Sequence, residues 1–165
     1  MMLDTRQQRL LETLPVRSFA TLMELYENNY ILLRRLAPGL QSFSGSVVSQ
    51  APGAVDLHLR IVEQTPYTTV AALTHHFPLG SSDALEEPGL HVRVYHDAHA
   101  GEVLPESAVE QFNPWAGCAP PAKSLEWRWE LNRFLNRWLR YCIAEGHEFP
   151  GYACGAFAAG DASSV

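Results

Sequence analysis

The chain is short of the patterns from which a reaction is usually read. It has no HExxH, no GxSxG, no Walker-type or dinucleotide-binding glycine run, and no CxxC pair. Zincin, serine-hydrolase, nucleotide-fold and zinc-ribbon chemistry therefore lack their characteristic residues. Cysteine is scarce as well. Cys118, Cys142 and Cys154 are an odd, widely spaced three, which fits reduced thiols in a cytosol better than a disulfide frame. No apolar run approaches the roughly eighteen residues of a membrane span. The opening MMLDTRQQRLLETLP carries charge throughout and has no signal-peptide core. The reading is a cytoplasmic protein with no membrane partner. A formal net charge of −6 argues against an overall electrostatic grip on nucleic acid and gives no strong case for duplex DNA.

What is present is a globular composition. Apolar residues make up 47% and charged residues 18% of 165 residues, far from the disordered regime and suited to one domain of ordinary size. The expected division is an N-terminal segment over 1–17, an α+β domain over 18–150 and a flexible, small-residue-rich tail over 151–165. Leu10, Leu11 and Leu14 predict a short helix over Leu3–Leu14, ended by Pro15. Ser18 then offers an N-cap. Phe19, Leu22, Met23, Tyr26, Tyr30, Leu33 and Leu36 recur at three- and four-residue steps, predicting a helix that stops at Pro38-Gly39. Asn28, Asn29, Arg34 and Arg35 fall on its outward side.

Four strands are expected next. Phe43–Gln50 is a serine-rich edge strand. Val55, Leu57, Leu59 and Ile61 alternate with Asp56, His58 and Arg60, and Thr68–Phe77 is rich in β-branched and aromatic residues. Pro78–Gly89 reads as a loop, and Leu90, Val92 and Val94 alternate with His91, Arg93 and Tyr95. Short connections predict a four-stranded, mainly antiparallel meander. The irregular segment after Leu104, over 105–123, holds Phe112 and Trp115 and is expected to cover apolar surface. Ser124 caps a last helix with Trp127, Leu131, Phe134, Leu135, Trp138, Cys142 and Ile143 inward, ended at Gly146. The fold class is α+β, with the N- and C-terminal long helices packed on one face of the sheet.

Four phrases stand together in this layout: MELYENNYILLRRLAP at Met23–Pro38, LRIVEQTPYTT at Leu59–Thr69, VRVYHDAHAGEV at Val92–Val103 and LNRFLNRWLRYCIAEG at Leu131–Gly146. They resemble the YqiB-like family, small soluble bacterial proteins with a domain of unknown function. The resemblance spans about Thr21–Gly146; it implies this architecture and assigns no chemistry.

Leu90–Val103 is the densest run of ionisable groups. His96-Asp97-Ala98-His99 and His75-His76 are ligand types for zinc or iron. Their spacing matches no metal signature, however, and neighbouring residues of a strand face opposite ways, so no metal and no cofactor is implied. An up-down meander gathers Glu63, Thr65, Tyr67 and Thr68 with Tyr95, His96 and Asp97 at one sheet edge. Alternation turns Glu63 and His96 toward the helices, where a charged group needs a partner. Strands two and four are about 9.6 Å apart, so Thr69, a water or a ligand has to bridge Glu63 to His96. His99 and Glu102 fall beyond the strand. His58, Arg60, His91, Arg93 and Tyr95 line the opposite face, and Arg133, Arg137 and Arg140 form a ridge on the last helix with Glu130 beside it. The first reading is a non-enzymatic cytosolic binding or regulatory module that meets a protein or RNA partner through Arg60 and the ridge. The rival is a small-ligand binding protein or enzyme, with a site for a nucleotide or other anion built from Glu63, Thr65, Tyr67, Arg93, Tyr95, His96 and Asp97.

Overall fold

The computed structural model describes residues 17–79, 83–108 and 124–150, with the side chains of 77–88 and 107–108 excepted. The short helix expected over Leu3–Leu14, the segment carrying Phe112, Trp115 and Cys118, and the tail with Cys154 lie outside the described residues.

Helix α1 spans Phe19–Leu36. It begins at Ser18, whose Oγ accepts the Thr21 N–H while its own N–H donates to Thr21 Oγ1, a reciprocal capping box. Its buried stripe runs Thr21, Leu22, Leu25, Tyr26, Asn29, Leu32, Leu33 and Leu36. Phe19 stands outside that stripe and is 67% exposed, so the spacing assigned it wrongly. Helix α2 is one turn, Pro105–Ala108, and α3 spans Leu125–Ala144. Ser124 Oγ accepts the Trp127 N–H at 3.1 Å. At the far end Gly146 takes φ +91°, the left-handed step that lets His147 N–H reach back to the Cys142 carbonyl at 3.0 Å.

The sheet has five strands in the order β1-β2-β3-β4-β5, all neighbours antiparallel: β1 Ser46–Ser49, β2 Asp56–Gln64, β3 Thr68–Leu79, β4 Asp83–Tyr95 and β5 Ala100–Val103. The fold class is α+β as expected, but the count of four is corrected to five. The extra strand follows from a four-residue turn, His96–His99. His99 adopts φ 51°, which reverses the chain so that Ala100 pairs with Tyr95 and Val103 with Val92. The segment expected as a loop over Pro78–Gly89 is also corrected. There β3 and β4 continue their pairing as far as Leu79 with Asp83.

Helices α1 and α3 lie together on the inner face. Contacts rise in parallel along both, from Trp129 Nε1 donating to Thr21 Oγ1 to Arg140 donating to Asn28 Oδ1, so the helices run in the same direction. Between them and the sheet sit Leu57, Leu59, Leu73, Leu90, Val92, Val94, Leu131, Leu135 and Leu139, all nearly inaccessible. A smaller core of Leu22, Leu25, Tyr26 and Trp129 fills the end near Ala100.

The helix pair is joined by a seam of asparagines. Asn132 Oδ1 accepts the Val103 N–H at 2.9 Å and its Nδ2 donates to the Arg128 carbonyl at 2.8 Å. Asn29 Nδ2 reaches the Asn132 carbonyl, and Asn136 Nδ2 donates to both Asn29 and Asn28 Oδ1. Asn29 was expected to face away from the core; it is fully buried. A polar residue is stable there because β5 is an edge strand whose backbone needs partners. Asn132 supplies one, at the Val103 N–H, and Asn29 and Asn136 are bonded in turn to the seam.

Candidate functional site

The β2–β3 tip and the β4–β5 turn meet at one sheet edge, as topology requires. The His96 N–H donates to the Tyr67 carbonyl at 2.8 Å. Within the tip, Thr65 N–H donates to the Thr68 carbonyl, and the two threonine hydroxyls lie 2.7 Å apart. Thr65 is thereby spent on closing the turn. The Tyr67 side chain projects into solvent, 66% exposed. Asp97 is exposed, and its Oδ1 accepts the Ala98 N–H at 3.0 Å, which steadies the turn.

His96 is different: it is 8% exposed and points to the helix side. Its Nε2 lies 2.7 Å from Thr69 Oγ1, which also lies 2.7 Å from Gln64 Oε1. The proton positions along this chain follow from donor arithmetic. Gln64 Nε2 donates to the Gln41 carbonyl at 2.6 Å, so Oε1 is the atom facing Thr69. The Thr69 hydroxyl has one proton and gives it to Oε1. Its oxygen must then accept from His96, which fixes the imidazole as the Nε2–H tautomer. Nδ1 is left with a bare lone pair, buried and without a hydrogen-bond partner among the described residues. Burial, then the Arg34 guanidinium, hold the His96 pKa below its ordinary value, with Asp97 opposing them.

The bridge to His96 thus comes from Gln64, where alternation pointed to Glu63. A bulge between Ile61 and Glu63 is the reason. Ile61 pairs with Ala71 and Glu63 with Val70, leaving Val62 over. One extra residue turns every later side chain to the other face. Glu63 therefore emerges on the outer face, close enough to help raise the Arg93 pKa.

That outer face gathers the remaining candidates. Tyr95 Oη donates to Glu102 Oε1 at 2.8 Å. The Arg93 pKa is raised first by its hydrogen bond to Tyr95, against burial, with the Glu102 and Glu63 carboxylates adding to it. Glu102, expected to lie beyond the strand, stands on β5 opposite Arg93. It also reaches the edge occupied by Tyr26, whose phenol is pushed up to about 12 by burial and then by the Glu102 charge. Glu102 was missed because the GEV run was too short to count as a strand. The turn-then-alternation pattern DAHAGEV was the available signal. His58 and His76 stack on the same face with centroids 3.5 Å apart. Arg60 is exposed.

The ridge on α3 is only partly a free surface. Arg137 is exposed, but Arg140 turns back to donate to Asn136 Oδ1 at 2.9 Å and to Asn28. Glu130, expected beside the ridge, pairs with Arg17, as does Glu126. On the inner side His75 lies 3.7 Å from Cys142 Sγ through Nε2, with His147 5.9 Å away ring to ring. Burial pushes the Cys142 thiol up to about 12, so it is an inert core group at neutral pH. Among the described residues no three His, Cys, Asp or Glu side chains are placed to share a metal ion. No described helix is long and apolar enough to cross a membrane.

Two buried histidines make stability depend on pH. Burial lowers the pKa of both His75, where His147 adds to the effect, and His96. The unfolded chain therefore binds protons that the fold refuses. Stability is full above the unfolded value near 6.5 and falls as pH drops toward the folded values, by about 1.4 kcal/mol per pH unit for each histidine. Urea unfolding between neutrality and mild acid checks this, with His75→Phe expected to remove one share of the slope.

Residues 32–148 match a family described as "Protein of unknown function (DUF1249)". The uncharacterized protein YqiB of Escherichia coli strain K12 is 38% identical over 131 residues, covering 78% of this chain and 90% of that protein. The YqiB proteins of strains O6:H1 and O157:H7 match to the same extent. No solved structure matches. The family match covers the sheet, both sides of the His96 edge and all of α3, and no function is assigned with it. The chain belongs to this YqiB-like family.

Proposed function

We propose that the chain, through its 18–150 unit, is a non-enzymatic binding module of the cytoplasm, and that a partner protein docks on the outer face of the sheet. The observation carrying this reading is that neither long helix packs on that face, yet its side chains are already ordered against one another. His58 lies on His76, and Arg93 sits among Tyr95, Glu102 and Glu63. Side chains fixed before docking lose less entropy on binding. Exposed Arg60 and the 41%-exposed Val48 add a charge and an apolar contact at one margin. A protein is favoured over RNA because Arg93 is already offset by two carboxylates and the chain carries a net charge of −6.

Affinity capture on the full chain at low and physiological salt tests the reading, run beside Arg60→Glu and Arg137→Glu. The wild type and Arg137→Glu should recover the same stoichiometric protein. Arg60→Glu should weaken it roughly tenfold or more, about 1.4 kcal/mol. A partner kept by Arg60→Glu and lost by Arg137→Glu would place the interface on α3 and reject the sheet face. Recovery that vanishes on nuclease treatment would replace the protein with RNA.

A further inference from the structure

The two edges of the sheet are finished differently. At β5 the outward Val103 N–H donates to Asn132 Oδ1 at 2.9 Å, and α1 lies against Gly101. At β1 nothing comparable is built among the described residues. The Gly45 carbonyl accepts the Ile61 N–H at 2.8 Å, and the register continues through Val47 with Leu59 and Ser49 with Leu57. Along an antiparallel strand, successive residues turn their main-chain groups to opposite sides. Val47 and Ser49 therefore direct their N–H and C=O groups at β2, while Ser46 and Val48 point theirs away from the sheet. No hydrogen bond among the described residues reaches those outward groups.

The edge is also undefended. Natural sheets blunt a free edge with a charge, a proline, a bulge or a covering segment. The strand SVVS has no charge and no proline, and its pairing with β2 runs without a bulge. Ser46, Val48 and Gln50 are exposed, Val48 by 41%. A Cβ built at Gly45 or Gly53, which flank the strand, would meet nothing within 4 Å.

The geometry points to a second copy of this chain as the occupant of this edge, paired antiparallel through β1 about a two-fold axis at Val48. The outward groups fall on alternate residues, so Val48 meets Val48 of the second copy and Ser46 meets Gln50, each donor facing an acceptor. Such a register pairs residues of the same face, which puts both helix layers on one side of a continuous sheet. The two Val48 side chains become cross-strand neighbours on the outer face. Charge favours the same occupant. No Asp, Glu, Lys or Arg occurs from Leu36 to Val55, so two copies of a chain with net charge −6 meet here without a like charge in either strand. The charges bordering the edge are of opposite sign: Arg60 across from Ser46, and Glu148, whose N–H donates to Ser49 Oγ. A foreign strand would make the same main-chain bonds, but only the second copy brings the matching alternation by identity. The strand has four residues, a small contact, so the association is reversible and rises with concentration. The pairing leaves the outer face open and does not rest on the partner reading above.

Sedimentation velocity of the full chain over a range of concentrations tests this, with amide hydrogen exchange at Ser46 and Val48 read at the same concentrations. A dimer should grow in with concentration, and both amides should slow with it. Val48→Pro removes an N–H that the β1–β2 ladder does not use, and Val48→Lys sets like charges face to face across the axis. Each change counts twice in the dimer, so each should weaken it roughly tenfold or more while the circular dichroism stays that of wild type. If Val48→Pro fails to fold, Val48→Lys decides. Ile31→Lys, on the exposed side of α1, should dimerise like wild type. A chain that stays monomeric up to about 1 mM overturns the proposal, whether its edge amides exchange freely, as for an edge kept for a foreign strand, or are protected throughout by another part of the same chain. A dimer that survives Val48→Lys, or that Ile31→Lys abolishes, overturns it equally.

Discussion

Asn132→Leu is expected to lower the unfolding free energy by about 2–5 kcal/mol, more than any other polar substitution in the helix layer. The leucine fits in volume, but one buried donor is orphaned and a second keeps only the backbone carbonyl of residue 132. The Val103 N–H, on the outer side of the edge strand, loses Oδ1 at 2.9 Å, and Asn29 Nδ2 loses its side-chain acceptor. Both lie where water does not reach, since Asn29 and Asn132 are fully buried. An orphaned buried donor costs more than a hydrogen bond contributes. Asn136→Leu should cost less, because Asn136 is 9% exposed and sits toward the Arg140 end of the seam. Chemical unfolding of the two variants beside the wild type checks both size and order. Equal effects would mean that the seam acts as bulk packing and not through the Val103 N–H.

Gly101→Val is expected to cost about 2–3 kcal/mol through overpacking. The strand β5 lies directly on α1 at this point. A Cβ at 101 would stand 2.9 Å from Leu33 Cδ1 and 3.4 Å from the Tyr30 backbone nitrogen. Leu33 is 4% exposed and hemmed in by the core, so its methyl has little room to yield, and the helix backbone has none. Strand β5 would have to lift. Because β5 carries Glu102 and is joined to β4 by the His96–His99 turn, the displacement should also loosen the Tyr95–Glu102 bond. A Gly101→Val chain as stable as wild type would contradict this account of why a glycine stands there. Gly45→Ala is the useful contrast: open space surrounds it, and any cost comes from its φ of +69° alone.

Much of the frame could be read from the residues. Ser18 and Ser124 marked both helix starts, Gly146 marked the end of α3, and strict alternation over Val55–Ile61 and Leu90–Tyr95 placed the inner face. Periodicity fails where one residue changes the register. The bulge at Val62 exchanged Glu63 for Gln64 at the His96 edge, and no feature of LRIVEQ announces it, because each residue suits either face. Asn29 was assigned outward on polarity alone. Its burial depends on Asn132, 103 positions away, a pairing that no local window contains. Glu102 was set aside because the turn before β5 relies on a left-handed histidine at position 99, a position where asparagine or glycine would have been the recognisable signal. The tautomer of His96 was out of reach in principle: it needs the Gln41 carbonyl to orient an amide two strands away.

The His96 tautomer in the free protein is the most direct test of the candidate site, and long-range correlation of its ring nitrogens with the ring carbon protons measures it. The expected result is a neutral ring with its proton on Nε2 and Nδ1 as a bare acceptor, persisting below the ordinary histidine pKa of about 6.5. Thr69→Val should leave the protein folded and let the proton exchange between the two nitrogens. A ring protonated on Nδ1, or one already charged at neutral pH, would contradict the Gln64–Thr69–His96 chain and the site built on it.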